Sequence, residues 1–348
     1  MKSIRGRGSS DNPENRFEKV YLDYDPDEES GEKPSSDTEL MTDHTKEIIS
    51  TNNSPDIPFN KSINPYRGCE HGCIYCYARP THEFLGMSAG LDFESRIVVK
   101  YKAASLLRKK LAETSWQPET LVMSGVTDPY QPVDRELEIT RRCIEVLTES
   151  RHPMAIITKN HLVTRDIDYL SELAAYRAVR VAISVTTLDR DLARVMEPRT
   201  SQPERRLDTI RRLSDAGIPV SVNIAPVIPG LTDHECVHIL EEAKKAGADQ
   251  AGYTLLRLPY GVKDLFLTWL GQHFPDRKQK VVNRLMDIRN GRLNRSEFGE
   301  RFRGSGNYAG QIQTLFRQTV RRLGMDTPRS PLSTEHFRRP DVDQLSLF

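Results

Sequence analysis

Three of the five cysteines in this 348-residue chain fall within eight positions, in the run NPYRGCEHGCIYCYARP that begins at Asn64. Cys69, Cys73 and Cys76 form a C-x3-C-x2-C array. Thiolates are the protein ligands of iron–sulfur clusters, and most clusters use four. A cubane held by three leaves one iron free to bind a cofactor or substrate, which is what a chemically active cluster needs. Gly68 and Gly72 let the loop wrap closely. The competing chemistry is a structural zinc ion in a non-enzymatic module. Zinc takes four ligands, and His71 and His82 are near enough to keep it open. His71, between two ligand cysteines, is expected to point outward. Cys143 and Cys236 stand alone on helices and supply no second pair.

Around this loop the sequence alternates strand and helix. Short apolar, often β-branched runs predict strands near Ile63 and at 120–124, 154–158, 179–185, 220–225 and 251–256. Helices fit between them, at about 102–113, 136–149, 165–175, 203–216 and 234–246. Ser201 with Glu204, and Thr232 with Glu235, have capping-box spacing. Pro203 suits a first helical turn, and Gly217 and Gly247 suit helix ends. Six such units in series imply a parallel sheet with right-handed crossovers. About 200 residues is short for a closed eightfold barrel. The expected fold class is therefore α/β, a partial (β/α)6 TIM-type barrel. Its working face would lie at the C-terminal ends of the strands, where the cysteine loop follows the first of them.

The flanks differ from this core. Residues 1–58 are expected to be a disordered acidic segment, with one short helix near Glu39–Ile49. The barrel would occupy 59–265, a helical basic extension 266–325, and an extended tail 326–348. Residues 1–60 carry 14 acidic and 7 basic side chains, residues 276–339 carry 6 and 15, and the whole chain nets +1. The basic end could face nucleic acid or simply be solvated helix surface. No run approaches the ~20 apolar residues of a membrane span. Met1 to Asn15 lacks a signal-like apolar stretch, so a cytoplasmic location is expected.

The C-x3-C-x-aromatic-C loop ahead of five further βα units resembles the radical S-adenosylmethionine (SAM) superfamily. RGCEHGCIYCYARPTHEFLG resembles its spore photoproduct lyase branch. The resemblance covers about residues 60–265. It implies that Cys69, Cys73 and Cys76 hold a four-iron, four-sulfur (4Fe-4S) cluster whose fourth iron binds SAM. An electron donor reduces the cluster, SAM is cleaved, and a 5′-deoxyadenosyl radical abstracts hydrogen from the substrate. Tyr75 takes the aromatic position that packs on adenine. The turn MSGVTDPYQP, with Ser124, Gly125, Thr127 and Asp128, takes the place that contacts the methionine amino group. Ser184 and Thr186 match the ribose or carboxylate region, Arg199 could meet the carboxylate, and Gly230 lies in the adenine-side motif.

The same resemblance suggests a nucleic acid substrate, a DNA lesion in particular. One departure bears on the reaction. True lyases of the branch carry a hydrogen-donating cysteine after strand two, and residues 124–128 contain none. Cys143, a helix further on, reads as a core thiol. Tyr77, Tyr130 or Tyr253 could donate hydrogen instead. The chain ends in QLSLF, which resembles the bacterial sliding-clamp-binding motif. Leu345, Leu347 and Phe348 would enter apolar pockets, with Gln344 fixing register. Modification of a protein or small molecule by the same radical chemistry is the alternative.

Overall fold

The computed structural model of the chain describes residues 4–17, 37–328 and 330–341. Six strands form one parallel sheet: β1 (Lys61–Ile63), β2 (Leu121–Met123), β3 (Met154–Thr158), β4 (Val179–Ser184), β5 (Val220–Val227) and β6 (Gln250–Leu255). They lie side by side in chain order, each parallel to its neighbour. Beyond β1 a short antiparallel strand, Ile49–Thr51, completes a seven-stranded sheet, so β6 and this strand are its two edges. This is the open partial barrel that the alternation predicts.

The longer helices between the strands are α1 (Ala103–Ala112), α2 (Ile139–Glu149), α3 (Ile167–Ala175), α4 (Pro203–Asp215) and α5 (Cys236–Lys245). Apolar spacing decides which face they bury. Ile139, Cys143, Ile144 and Leu147 of α2 are all fully buried, the i, i+4, i+8 stripe of a core-facing helix. Truncating such a side chain to alanine costs about 2–5 kcal/mol. Pro203 opens α4. Gly217 and Gly247 follow α4 and α5 with φ of +73° and +102°, the left-handed position that ends a helix without steric cost.

Neither capping box forms. The Ser201 hydroxyl instead accepts from the His161 N–H at 2.8 Å. Glu235 accepts from the Thr187 hydroxyl at 2.6 Å and the Leu188 N–H at 2.7 Å. In both cases tertiary partners have outcompeted the local one.

The helix expected near Glu39–Ile49 is absent. Residues Glu39–Thr42 are a strand that pairs in parallel with Arg96–Val99, which also pairs with Tyr66–Arg67. Elsewhere in the segment expected to be disordered, residues 4–17 lie in contact with the cysteine loop. The extension is helical: α6 (Val262–His273), α7 (Pro275–Asp287) and α8 (Gly306–Arg322).

Past α8 the chain runs extended across the N-terminal ends of the strands. Gln250 bonds the Thr327 carbonyl, the Ser333 N–H bonds the Arg177 carbonyl, and the Arg338 N–H bonds the Ser150 carbonyl. Arg339 reaches the carbonyls of Glu113 and Thr114. This part of the tail thus laces the face opposite the cysteine loop. Gln344, Leu345, Leu347 and Phe348 lie outside the described residues. Among the described residues no helix is long and apolar enough to cross a membrane.

Candidate active site

The cysteine loop leaves the C-terminal end of β1 and is held from all sides by polar contacts. Gly68 and Gly72 have φ of +80° and +64°. A methyl group at Gly72 would sit 2.7 Å from Glu94 Oε2, so only glycine fits there. The Cys69 N–H donates to the Phe93 carbonyl at 2.8 Å. Thr127 Oγ1 donates to the Gly68 carbonyl at 2.6 Å. The Glu70 N–H donates to Gln131 Oε1 at 2.8 Å.

Beneath the loop, fully buried Arg79 donates to the carbonyls of Cys73 (3.0 Å) and Gly90 (2.9 Å) and pairs with buried Glu94. Glu94 also accepts the N–H groups of Gly8 and Ser9, each at 2.8 Å. A side chain at Gly8 would overlap the Gly72 carbonyl. The N-terminal segment is therefore fastened directly onto the cysteine loop.

Cys69 and Cys73 are buried, Cys76 is partly so, and none is in a disulfide. Burial pushes the thiols of Cys73 and Cys76 up, and the charges of neighbouring cysteines push the same way. Cys69 lies close enough to act on both, so the three thiols share one site. They ionise there only with compensating positive charge, which iron would provide. Three thiols carried by one loop suit a cubane, in which each thiolate takes a separate iron.

Tyr75 projects from the loop into a buried polar network. Its hydroxyl donates to Glu197, lies 3.3 Å from Thr186 Oγ1, and Thr186 in turn donates to Glu197 at 2.8 Å. Arg206, 1% exposed, pairs with Glu197 and donates to the Ser184 carbonyl at 3.1 Å. Over the Tyr75 ring, 5.9 Å from its centre, stands the ammonium of Lys159, the residue that follows β3. Burial pushes the Lys159 ammonium down, and the nearby Cys73 pulls it back. Sequence reasoning missed Lys159, Glu197 and Glu94. Lys159 had a visible signal, a cation one residue beyond a barrel strand. The two glutamates had none, since tertiary contacts alone bring them in.

The strand-two turn braces the loop. Asp128 accepts from Thr158 Oγ1 at 2.7 Å and from the Lys159 N–H at 2.8 Å, and it lies 3.4 Å from His71 Nδ1. Burial opposes its charge, but His71 and these donors hold its carboxyl below the usual range. His71 is 1% exposed, not outward-facing. Burial works against its charge too, yet Asp128 and Cys69 push it up to about 10. The Ser124 hydroxyl meets the Thr127 carbonyl at 3.3 Å, and the Gly125 carbonyl accepts from the Tyr77 hydroxyl at 2.8 Å. Tyr77, beside Cys76, is 52% exposed at the barrel mouth.

The remaining expected residues have the following partners. Arg199 pairs with Glu70 (3.1 Å) and donates to Thr38 (3.2 Å). It lines a pocket of about 360 Å³ between the cysteine loop and the N-terminal segment. Gly230 packs under α7, where a methyl would be 3.5 Å from Lys280 Cγ. Tyr130 is fully buried and donates to Asp166 at 3.0 Å, in a core network with Asp134 and Arg165. Tyr253 packs against Phe316 of α8.

The model of the radical SAM superfamily matches residues 63–243, from the end of β1 into α5. The chain belongs to the radical SAM superfamily. The cofactors of radical SAM enzymes are a 4Fe-4S cluster and SAM. An uncharacterised protein of Mycobacterium tuberculosis is 37% identical over 226 residues, 64% of this chain and 66% of that one. The match thus spans just under two thirds of that relative's length. A radical SAM Nalpha-GlyT isomerase of Pseudomonas phage M6 is 22% identical over 77% of this chain and 53% of its own. Spore photoproduct lyase complexed with dinucleoside spore photoproduct superposes with a TM-score of 0.55 at 16% identity, over 82% of this chain and 79% of that one. At that identity the likeness shows the fold.

Proposed function

We propose that this radical SAM protein carries its cluster on Cys69, Cys73 and Cys76 and acts on a nucleic acid, in repair or modification of DNA. The observation that carries the reading is the enclosure of these three thiols in one loop beside Tyr75 and Lys159. When bound, the cluster and SAM supply one-electron cleavage of the sulfonium and hence a 5′-deoxyadenosyl radical.

The chain's own residues have distinct roles in this reading. Glu197, Thr186 and Arg206 fix the Tyr75 ring as a platform for adenine. Lys159 Nζ, beside that ring, offers a cation to the SAM carboxylate, a charge-assisted contact. Asp128 holds the Lys159 backbone and so orients it. Arg79 and Glu94 keep the loop closed against water. Tyr77 is the hydrogen donor that takes the place of the missing cysteine. Its hydroxyl rests on the Gly125 carbonyl, within the turn where true lyases carry their cysteine. Tyr130 is too deep for that role.

The nucleic acid assignment draws support from the dinucleoside bound by the lyase of the same fold. The test is anaerobic turnover of cluster-loaded protein with SAM, dithionite and an ultraviolet-irradiated DNA pool, with products read by mass. Altered nucleotides that form only with all three cysteines present would support it. Release of 5′-deoxyadenosine with unaltered DNA and RNA would direct the substrate search to proteins and small molecules.

A further inference from the structure

The basic extension is not evenly solvated. Along α7, Arg277, Lys280 and Arg284 fall at i, i+3 and i+7, one helix face about 10 Å long. They border a groove of about 430 Å³ whose other wall is the loop after β5, at Gly230 and His234. All three cations are exposed, and among the described residues none pairs with a carboxylate. Arg284 lies 4.2 Å from the centre of the Tyr308 ring, and Tyr308 is tied to Asp233.

The C-terminal end of α7 is tied to the end of β6. Just past the end of α7, Arg289 donates to the Leu256 carbonyl at 2.8 Å. The next residue, Arg257, stands at the C-terminal end of β6. Its guanidinium is 5.7 Å from the Tyr77 ring centre and 4.8 Å from that of Phe302. Its Nε is buried without a hydrogen-bond partner. Asp56, whose charge reaches it, is already paired with Arg301 at 2.6 Å. Tyr77, whose ring Arg257 faces, is 52% exposed, and Phe298, which stacks on neighbouring Arg301, is 61% exposed. The half-exposed Tyr77 face beside Arg257 suits stacking of a base and pairing of a phosphate.

We propose that the α7 groove and Arg257 form one track for the phosphodiester backbone of a single strand, leading a base to Tyr77. The inference rests on the nucleic acid reading and adds a place and a strandedness to it. A single strand is favoured because its bases are free to leave the stack and enter the mouth, whereas a duplex must first give one up.

The test is anisotropy of a labelled twelve-nucleotide oligo-dT with cluster-loaded full-length protein over a range of KCl. The comparison is an Arg277→Gln/Lys280→Gln/Arg284→Gln variant, which changes exposed side chains only. Each lost phosphate contact lowers the salt slope for single strands by about 0.7, so the variant's slope should fall by about 2. Its low-salt affinity should drop at least tenfold, with substrate-free release of 5′-deoxyadenosine unchanged. Salt-dependent binding that the triple variant retains would overturn the track and leave the nucleic acid reading standing. No salt-dependent binding by the unaltered protein would overturn both. A blunt duplex of equal length bound more tightly than oligo-dT would overturn the single-strand assignment.

Discussion

The ammonium of Lys159 stands 5.9 Å from the centre of the Tyr75 ring, on the side of the cysteine loop that carries Cys73. One residue comes from the loop after β1 and the other from the end of β3. Their meeting defines a small cationic, aromatic space beside the thiols.

Replacing Lys159 by Met removes the cation and keeps most of the volume. A hydrogen bond to a charged group contributes about 1.5–3 kcal/mol, so SAM should bind roughly tenfold to a hundredfold more weakly. Iron content should be unchanged, because the Lys159 ammonium bonds the Ala225 carbonyl at 3.3 Å and is not one of the thiol ligands. Calorimetric titration of SAM into the variant checks this, and unaltered affinity would remove Lys159 from the site.

Glu94 joins Arg79 to the N-terminal segment. Glu94→Ala leaves Arg79 buried and unpaired and orphans the N–H groups of Gly8 and Ser9. Breaking a buried pair costs about 3–5 kcal/mol. The expected outcomes are a lower urea midpoint and faster proteolytic cutting within residues 4–17. Wild-type protection of that segment in the variant would contradict this.

Tyr130 separates structure from chemistry. Tyr130→Phe deprives Asp166 of a donor and should cost about 1–2 kcal/mol of stability, with 5′-deoxyadenosine formation intact. A variant of normal stability and altered product would return Tyr130 to the list of hydrogen donors.

His152 supplies a pH signature. Burial holds its pKa down at about 4. Its Nε2 accepts from the Trp116 indole at 3.2 Å, so the folded state keeps the ring neutral. An unfolded histidine titrates near 6.5. The stabilisation is therefore complete above pH ~6.5 and is lost as pH falls toward 4. Between pH 7 and 5 the loss is about 2 kcal/mol. Urea unfolding at pH 7 and pH 5 should show a smaller acid-side loss in His152→Gln than in the wild type.

The sequence made some of this legible and hid the rest for identifiable reasons. Apolar runs of strand length mark β2 to β6 because buried parallel strands leave no polar face. The cysteine spacing marks the site because few other chemistries use it. Residues 4–17 gave no such sign. They dock through hydrogen bonds to Glu94, Asp92 and Glu83, not through apolar burial, so their composition resembles that of a solvated chain. Arg199 and Thr127 have side chains suited to SAM, and their protein partners are Glu70 and the Gly68 carbonyl. Polar type alone does not reveal which partner is nearest.

Electron paramagnetic resonance of the one-electron-reduced, cluster-loaded protein, before and after SAM is added, decides whether the three cysteines hold a SAM-binding cluster. The expected spectrum is a 4Fe-4S signal whose g-values shift with SAM, absent from the Cys69→Ala, Cys73→Ala and Cys76→Ala variants. A signal indifferent to SAM, or a protein that binds zinc in place of iron, would contradict it.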